Sequence, residues 1–200
     1  MKPYNIKNSR KSQYKINSIF LKRWSPRALS PESLPKEDLF SLFEAARWSP
    51  SSFNGQPWRF LYALKGTKFW DLFYSFLSEG NKSWCVNAPV LIVLLSRKNF
   101  EHNEKSDRHH SFGAGSAWMS LALQARMKNL IAHGMAGFDI EKAKTNLQIP
   151  ENYNVECMIA IGKQGEIENL PEEKKKAEKP NDRKPLDSLI NEGKFPKSWK

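Results

Sequence analysis

Four residues of this sequence have the chemistry to hold a phosphate without a metal ion. Arg23, Ser25 and Arg27 take alternating positions around Pro26 in the segment RWSPR, and Arg183 stands in the late basic segment NDRKP. An arginine fork grips phosphate through paired charge-assisted hydrogen bonds, and a further cation stabilises an anionic ring. Each arginine taken alone is more typical of an ordinary surface position. They are well separated in sequence, so only the fold can bring them together.

A second polar segment, residues 47–60, reads RWSPSSFNGQPWRF and lies between a predicted helix and a predicted strand. It contains Ser51, Ser52, Asn54 and Gln56, whose hydroxyl and amide groups can donate and accept hydrogen bonds. The alternative is a polar connection with no binding role, which is the usual character of a helix-to-strand loop. The segment by itself leaves both interpretations open.

Several common kinds of catalytic or nucleotide site are disfavoured by the motifs. The sequence has neither a GxxxxGK[ST] phosphate loop nor a GxGxxG turn, and GAGSAW at 113–118 does not follow a predicted strand. It also lacks a GxSxG nucleophile elbow and a cysteine beside a plausible histidine partner. The spacing of its four histidines does not suit zinc. We therefore expect no metal site and no catalytic side-chain nucleophile.

The composition predicts one domain in a reducing compartment. Its 200 residues, 40% of them hydrophobic and 12% aromatic, are enough for one core and short for two. Cys85 and Cys157 lie in apolar surroundings without a pairing pattern, so we expect both to fill the core. The basic N-terminal tail lacks the apolar stretch of a secretory signal, and no window approaches the roughly 18 apolar residues of a membrane span. We expect a soluble cytoplasmic protein.

The net charge of +11 raises the possibility of a nucleic-acid-binding module, because clustered Lys and Arg neutralise phosphates. The basic residues are, however, spread from end to end of the chain. The densest run, Glu172 to Lys179, alternates in sign and is typical of a solvated loop or helix surface. We therefore do not expect a nucleic-acid partner, although this alternative stays open.

Apolar periodicity and cap residues predict an irregular alternation of helices and strands. The predicted helices cover about 16–22, 33–47, 67–77, 111–128 and 139–147, and the predicted strands 58–64, 90–95 and 155–161. Ser33 is the expected N-cap of the second helix, with Pro35 in its first turn. Residues 130–138 are expected to form a loop, and 163–184 an extended surface connection. This pattern predicts a sheet covered by helices on both faces, without the order of a Rossmann domain.

The ordered blocks of the sequence resemble the FMN-dependent nitroreductases. RWSPR at 23–27 is similar to the opening signature of that family, and RWSPSSFNGQPWRF at 47–60 is similar to its most specific pattern, a helix that ends in APSSxNxQPW before a strand. The later segments NAPVLIVLL, AGFD, LQIPENY and DRKPLDSLI follow in the family's order, so the resemblance spans about residues 16–190. It implies an α+β fold, a three-layer α/β/α sandwich with a mostly antiparallel central sheet.

The resemblance also implies which residues hold FMN. Arg23, Ser25 and Arg27 match positions at the phosphate and pyrimidine side of the flavin, and Arg183 matches a phosphate-binding arginine. Asn81 matches an asparagine that faces the flavin.

Two further groups carry over by the same resemblance. Pro50, Ser51, Ser52 and Asn54 match an arm that reaches the flavin of the other subunit, which implies a homodimer with FMN sites at its interface. The loop GMAG at 134–137 matches the family segment whose backbone amide faces flavin N5, and some relatives have an acidic residue in place of Ala136. Ala136 and Gly137 are therefore the expected backbone contacts of N5.

The implied activity is a ping-pong cycle, in which hydride from NADH or NADPH passes through FMN to a small acceptor such as a nitro compound or a quinone. The choice of nucleotide and the physiological acceptor are left open. Two alternatives keep the flavin site: a relative with another reaction, such as a dehalogenase, and a flavin-binding protein without turnover.

Overall fold

The most apolar runs of the sequence form one antiparallel sheet. The computed structural model describes residues 8–199, so the first seven residues of the predicted basic tail and Lys200 lie outside it. The described strands are β1 (Trp58–Leu64), β2 (Val90–Arg97), β3 (Leu130–Met135) and β4 (Tyr153–Lys163), in the spatial order β1, β2, β4, β3. β2 lies inside the sheet and is buried from Val90 to Ser96, which explains its continuous apolar sequence.

Helices cover both faces of this sheet. They are α1 (Ile19–Lys22), α2 (Lys36–Arg47), α3 (Lys68–Phe76), α4 (Glu79–Cys85), α5 (His110–Met127), α6 (Ile140–Asn146) and α7 (Glu172–Lys175). Side chains of α2 and α5 form one core with one face of the sheet, and side chains of α3, α4 and α6 form a second core with the other face. The expected α+β fold, a three-layer α/β/α sandwich, is confirmed.

Local capping explains where the helices begin. The Thr67 side chain accepts a hydrogen bond from the Trp70 amide at the start of α3, and Asp139 accepts one from Lys142 at the start of α6. The prediction of Ser33 as the N-cap of α2 was wrong, because that position is taken by Pro35 in an extended conformation. A residue that precedes proline is driven out of the helical region, so the helix cannot begin before Pro35.

Two elements were missed by the sequence prediction. Residues 130–135, expected to form a loop, are the edge strand β3, which pairs with β4 along its whole length. Residues 79–85, not assigned to any element, form α4, whose Trp84 and Cys85 are buried. Both segments mix apolar and polar residues without a clear period, so only their packing against the sheet determines their structure.

The C-terminal segment contributes more to the core than a surface connection would. Leu170 belongs to the core on the α3 face, and the carboxylate residue Glu178 is only 4% exposed. The prediction that the whole run from Glu172 to Lys179 is a solvated surface was therefore wrong at Glu178.

A polar network ties the first turn of α5 to the sheet. β4 carries an extra, unpaired residue, Glu156, in a β-bulge opposite β2. Its carboxylate accepts hydrogen bonds from Ser96 of β2 and from Ser111 of α5, the latter at 2.7 Å. The Nδ1 atom of His110 lies 2.7 Å from the Ser96 hydroxyl. The start of α5 is therefore fixed relative to β2 and β4.

Residues 8–199 contain neither a candidate membrane-spanning helix nor a cluster of metal-ligating side chains. None of the helices there is both long and apolar enough to cross a membrane. Nor do three or more His, Cys, Asp or Glu side chains of this part of the chain gather as metal ligands would.

Candidate functional site at the edge of the sheet

The first predicted block, residues 23–27, is anchored by the buried carboxylate of Glu178. One oxygen of this carboxylate accepts hydrogen bonds from the backbone amides of Arg27, at 2.8 Å, and Ala28, at 3.0 Å. The other oxygen lies 3.9 Å from the Arg27 guanidinium. A residue of the C-terminal segment thus fixes the backbone and the charge of Arg27, although 151 positions separate the two in sequence.

Arg23 and Arg183 lie in one positive patch, together with a third arginine that the sequence did not indicate. Arg10 donates to the backbone carbonyl of Arg23 at 2.8 Å and to that of Asn181 at 2.7 Å. Burial lowers the pKa of Arg23, and the charges of Arg10 and Arg183 lower it further. We call Arg10, Arg23 and Arg183 the arginine cluster. Such a concentration of like charge favours binding of an anion.

A half-buried histidine connects the first block to α4. The Nδ1 atom of His133, on β3, lies 2.8 Å from the Pro26 carbonyl, which can only accept, so Nδ1 carries the proton. Its ring packs against Trp84 of α4, with 4.6 Å between ring centroids. Burial lowers the pKa of His133 to about 4, and the charges of Arg27 and Arg23 act in the same direction. His133 is therefore neutral at pH 7 and acts as a donor to the first block.

The loop that follows β3 is held by α4 and the residue before it. Asn81 donates its side-chain N–H to the Gly137 carbonyl at 2.8 Å, and the Ser78 amide donates to the same oxygen at 3.0 Å. A Cβ atom at position 137 would lie 2.9 Å from the polar ends of both side chains, so a larger residue there would force them to move. Trp84 donates its indole N–H to Asn81 at 3.3 Å. Ala136 and Gly137 themselves are exposed.

The structure therefore brings seven of the predicted site residues to the edge of the sheet that carries β3. They are Arg23, Ser25, Arg27, Asn81, Ala136, Gly137 and Arg183. His133 and Trp84 form the link between the first block and the loop after β3. This region is called the β3 edge below.

The remaining four, Pro50, Ser51, Ser52 and Asn54, lie in a segment before β1 that we call the arm, residues 50–56. β1 and β3 are the two outer strands of the sheet, three strand spacings apart. At about 4.8 Å per spacing this amounts to roughly 14 Å. The arm and the β3 edge therefore lie at opposite edges of the sheet within one chain.

The arm has a distinctive backbone. Phe53, Asn54 and Gln56 have φ angles of 48°, 54° and 46°, in the left-handed region that residues with a Cβ rarely adopt. The Ser51 hydroxyl accepts a hydrogen bond from the Gln56 amide at 3.0 Å, which closes the turn. The arm also rests against α5, because a Cβ on Gly113 would lie 3.6 Å from that of Ser51. The result is a shaped, exposed loop with the Phe53 side chain 87% exposed.

Sequence reasoning missed Arg10, Glu178 and His133. A histidine in a predicted loop and a glutamate in a run of alternating charge resemble solvated residues, and Arg10 precedes the first recognisable block. Their roles depend on backbone carbonyls and amides that are distant in sequence. No local pattern could have indicated them.

Comparison with known proteins identifies the family. The model of the nitroreductase family matches residues 20–83 and 66–163, which is more than half of the chain. The chain belongs to the nitroreductase family.

Several solved structures resemble the chain over most of its length. A crystal structure described as an oxidoreductase containing FMN is 42% identical, covers 95% of this chain and 98% of its own, and superposes with a TM-score of 0.91. A putative NADH oxidase from Clostridium acetobutylicum is 26% identical, with 88% and 99% coverage and a TM-score of 0.67. A putative nitroreductase in complex with FMN from Desulfovibrio desulfuricans is 24% identical, with 92% and 100% coverage and a TM-score of 0.71, and shows the same fold.

Two curated relatives match a smaller share of the chain. Protein DrgA of Synechocystis sp. is 26% identical and shares 66% of this chain and 76% of its own length. An uncharacterized 15.4 kDa protein of Mycolicibacterium smegmatis is 28% identical over 120 residues, which cover 60% of this chain and 79% of the relative.

Proposed function

We propose that this nitroreductase-family protein is an FMN-dependent oxidoreductase that takes hydride from NADH or NADPH and reduces small electron-poor acceptors such as nitro compounds or quinones. The observation that carries the proposal is the joining of the arginine cluster to the Gly137 loop along the β3 edge. The 42% identical relative that contains FMN supports the same cofactor.

The residues at the β3 edge fit the two ends of FMN. A phosphate monoester carries about −1.5 to −2 charges at pH 7, which suits a cluster of guanidinium groups. Burial and then the charges of Arg10 and Arg183 lower the pKa of Arg23 in this cluster. The Gly137 loop, where a side chain would displace Asn81 or Ser78, leaves its backbone open to a flat ring. Both features suit a flavin mononucleotide.

The chemistry that FMN supplies when bound is transfer of a hydride from a reduced nicotinamide to an acceptor. Arg23 and Arg183 would hold the phosphate of FMN, and Ser25 would add a hydroxyl on the same side. Arg27, fixed by Glu178, places a positive charge where it stabilises negative charge on the ring. Ala136 and Gly137 contribute backbone groups beside the ring, and Asn81 holds Gly137 in position. No side-chain nucleophile is required.

Two observations support NADH or NADPH as the electron donor: the description of one neighbour and a nucleotide-binding motif that the sequence lacks. One 26% identical neighbour is described as a putative NADH oxidase. The sequence lacks the GxGxxG turn of a dedicated dinucleotide-binding domain, which suits a nucleotide that binds briefly over the flavin and leaves. A small acceptor would then use the same surface.

A homodimer with two FMN sites is the arrangement that would bring the arm to a flavin. Pro50, Ser51, Ser52 and Asn54 lie at the opposite sheet edge from the arginine cluster, so a second chain is the way for both groups to reach one ligand. Large apolar side chains on and beside the arm support such an interface, since Trp48, Phe53 and Phe112 are 74%, 87% and 81% exposed.

A visible spectrum tests the activity. Protein purified with added FMN is treated without oxygen with NADH and, separately, with NADPH. We expect the flavin absorbance to bleach with at least one nucleotide and to return when a quinone or nitro compound is added. Bound flavin that never bleaches would contradict the oxidoreductase proposal, and failure to bind FMN would contradict the cofactor as well.

Subunit mixing tests the shared site. One variant carries Ser52→Glu in the arm, and the other carries Arg23→Gln together with Arg183→Gln. Either variant alone has two defective sites per dimer, whereas a mixed dimer has one intact site if the arm acts across the interface. Unfolding and refolding an equal mixture should therefore restore tight FMN binding at roughly a quarter of all sites. No recovery in dimers confirmed to be mixed would place the arm and the arginines in the same subunit's site.

A further inference from the structure

The N-terminal segment lies between the two segments that carry the proposed phosphate arginines. Asn8 donates to the Leu21 carbonyl at 2.9 Å, and the Gln13 side chain accepts a hydrogen bond from the Leu186 amide at 2.9 Å. Residues 8–13 thus contact the chain just before Arg23 and the chain just after Arg183. They form a bridge between two regions that are about 160 positions apart in the printed sequence.

Arg10 makes the central contacts of this bridge. On one side its Nη1 atom donates to the carbonyls of Leu21, at 3.3 Å, and Arg23, at 2.8 Å. On the other side its Nε atom donates to the Asn181 carbonyl at 2.7 Å, and its Nη2 atom donates to the Asn181 side chain at 3.1 Å. Only the planar fork of an arginine can serve both sides at once. Most of its N–H groups are therefore already committed to the protein.

This arrangement brings like charges together. The charge of Arg183 and burial lower the pKa of Arg10, with burial the larger cause, and the neighbouring Asp182 acts in the opposite direction. The guanidinium groups of the cluster repel one another, and a bound dianion offsets this repulsion. The family model matches only residues between 20 and 163, so neither Arg10 nor Arg183 belongs to the matched region.

We propose that Arg10 is a positioning residue that assembles the phosphate site by clamping the backbone of Arg23 to the segment of Arg183, and that bound phosphate in turn holds both terminal segments in place. This inference rests on the proposed binding of FMN and deepens it. Arg10 acts through the position of the other two arginines, so its geometry matters more than its charge. On this view Arg10 supports the cofactor site through its contacts with the backbone on both sides.

The test compares FMN with riboflavin, which is the same flavin without the phosphate. Dissociation constants of both are measured by fluorescence titration for the wild type, Arg10→Gln, Arg10→Lys and the control Lys11→Gln. Arg10→Lys keeps the charge but cannot span both sides, so we expect it to resemble Arg10→Gln. Both should weaken FMN roughly 10- to 100-fold while riboflavin changes less than about threefold. Lys11→Gln, which removes a charge from the same segment, should leave both affinities within about threefold.

Specific outcomes would overturn the inference. Equal weakening of FMN and riboflavin would assign Arg10 a general structural role, and an Arg10→Lys variant that keeps the wild-type preference for FMN would reduce its role to charge. If the wild type bound riboflavin and FMN with equal affinity, the proposed phosphate site would be contradicted. If it bound neither flavin, the proposed function itself would be contradicted.

Hydrogen exchange of the wild type gives a second readout that does not depend on the folding of a variant. At saturation, FMN should slow exchange at the amides of residues 8–13 and 181–186 more than riboflavin does. The sheet amides of β2 serve as the internal control and should respond to both flavins alike. Equal protection of the terminal segments by the two flavins would overturn the coupling between phosphate and the chain termini.

Discussion

At the β3 edge the polar groups are held by partners far away in the chain, whereas in the arm they are held by near neighbours. Arg27 depends on Glu178 and Arg10 depends on Asn181, with sequence separations of 151 and 171. In the arm, the Ser51 hydroxyl accepts a hydrogen bond from the amide of Gln56, only five residues later. The β3 edge is therefore assembled by contacts that depend on the complete fold. The arm is a loop shaped by hydrogen bonds among its own residues.

The largest effect is expected when two arginines of the arginine cluster, Arg23 and Arg183, are replaced together. We expect Arg23→Gln combined with Arg183→Gln to weaken FMN binding by roughly a thousandfold, because each charge-assisted interaction contributes about 1.5–3 kcal/mol. Riboflavin titration provides the control ligand. Arg47→Gln, an exposed arginine at the end of α2 near the arm, provides the matched variant and should change FMN affinity less than about threefold. If Arg47→Gln weakened FMN binding as much as the double variant, the overall positive charge of the protein, and not the arginine cluster, would account for the affinity.

A smaller effect is expected when the long-range anchor is removed. Glu178→Ala leaves the amides of Arg27 and Ala28 without their acceptor, and we expect the free energy of unfolding to fall by about 2–3 kcal/mol. Ser51→Ala removes one local bond of the arm and should cost under about 1 kcal/mol. Urea denaturation of the protein without flavin measures both. The contrast between the edges breaks down if the arm variant is the more destabilised of the two.

The smallest expected effect is a loss of stability at low pH. It is expected from His133 at the β3 edge and not from the arm. The pKa of His133 lies near 4 in the folded chain, below its ordinary value of 6.5, so the unfolded chain binds more protons between these values. The related stability is fully present above pH 6.5 and is lost as the pH falls toward 4, by about 2 kcal/mol between pH 6.5 and 4.5. His133→Gln should flatten this part of the stability profile. Ser51→Ala, which removes no titratable group from the arm, should leave the shape of the profile unchanged.

Prediction from sequence succeeded where one local pattern determines the outcome. The continuous apolar run from Val90 indicates a buried strand without further context. The blocks at 23–27 and 47–60 indicate the nitroreductase family, which the family model confirms. The NAD(P)H donor, the dimer and the individual site residues remain predictions. In contrast, β3 was missed because His133 and Gly134 interrupt its apolar residues, and the strand exists because β4 offers it a partner.

The same reasoning explains the missed anchors. Glu178 looks solvated because its neighbours in sequence are charged, yet its partners are two amides at the other end of the chain. Arg10 has no motif, since its acceptors are carbonyl groups, which every residue possesses. Which carbonyl a side chain will meet is a property of the folded chain.

The bridge made by Arg10 also implies an order of events during folding. The contact between Arg10 and Asn181 closes a loop of 171 residues, and the entropy lost on closing a loop grows with its length. Contacts between nearer segments, such as β1 with β2, form at lower entropic cost and are expected first. Pulse labelling by hydrogen exchange during refolding should therefore protect β2 before residues 8–13, and the opposite order would contradict this expectation. The phosphate site would be completed last, so the cofactor meets a chain whose sheet is already formed.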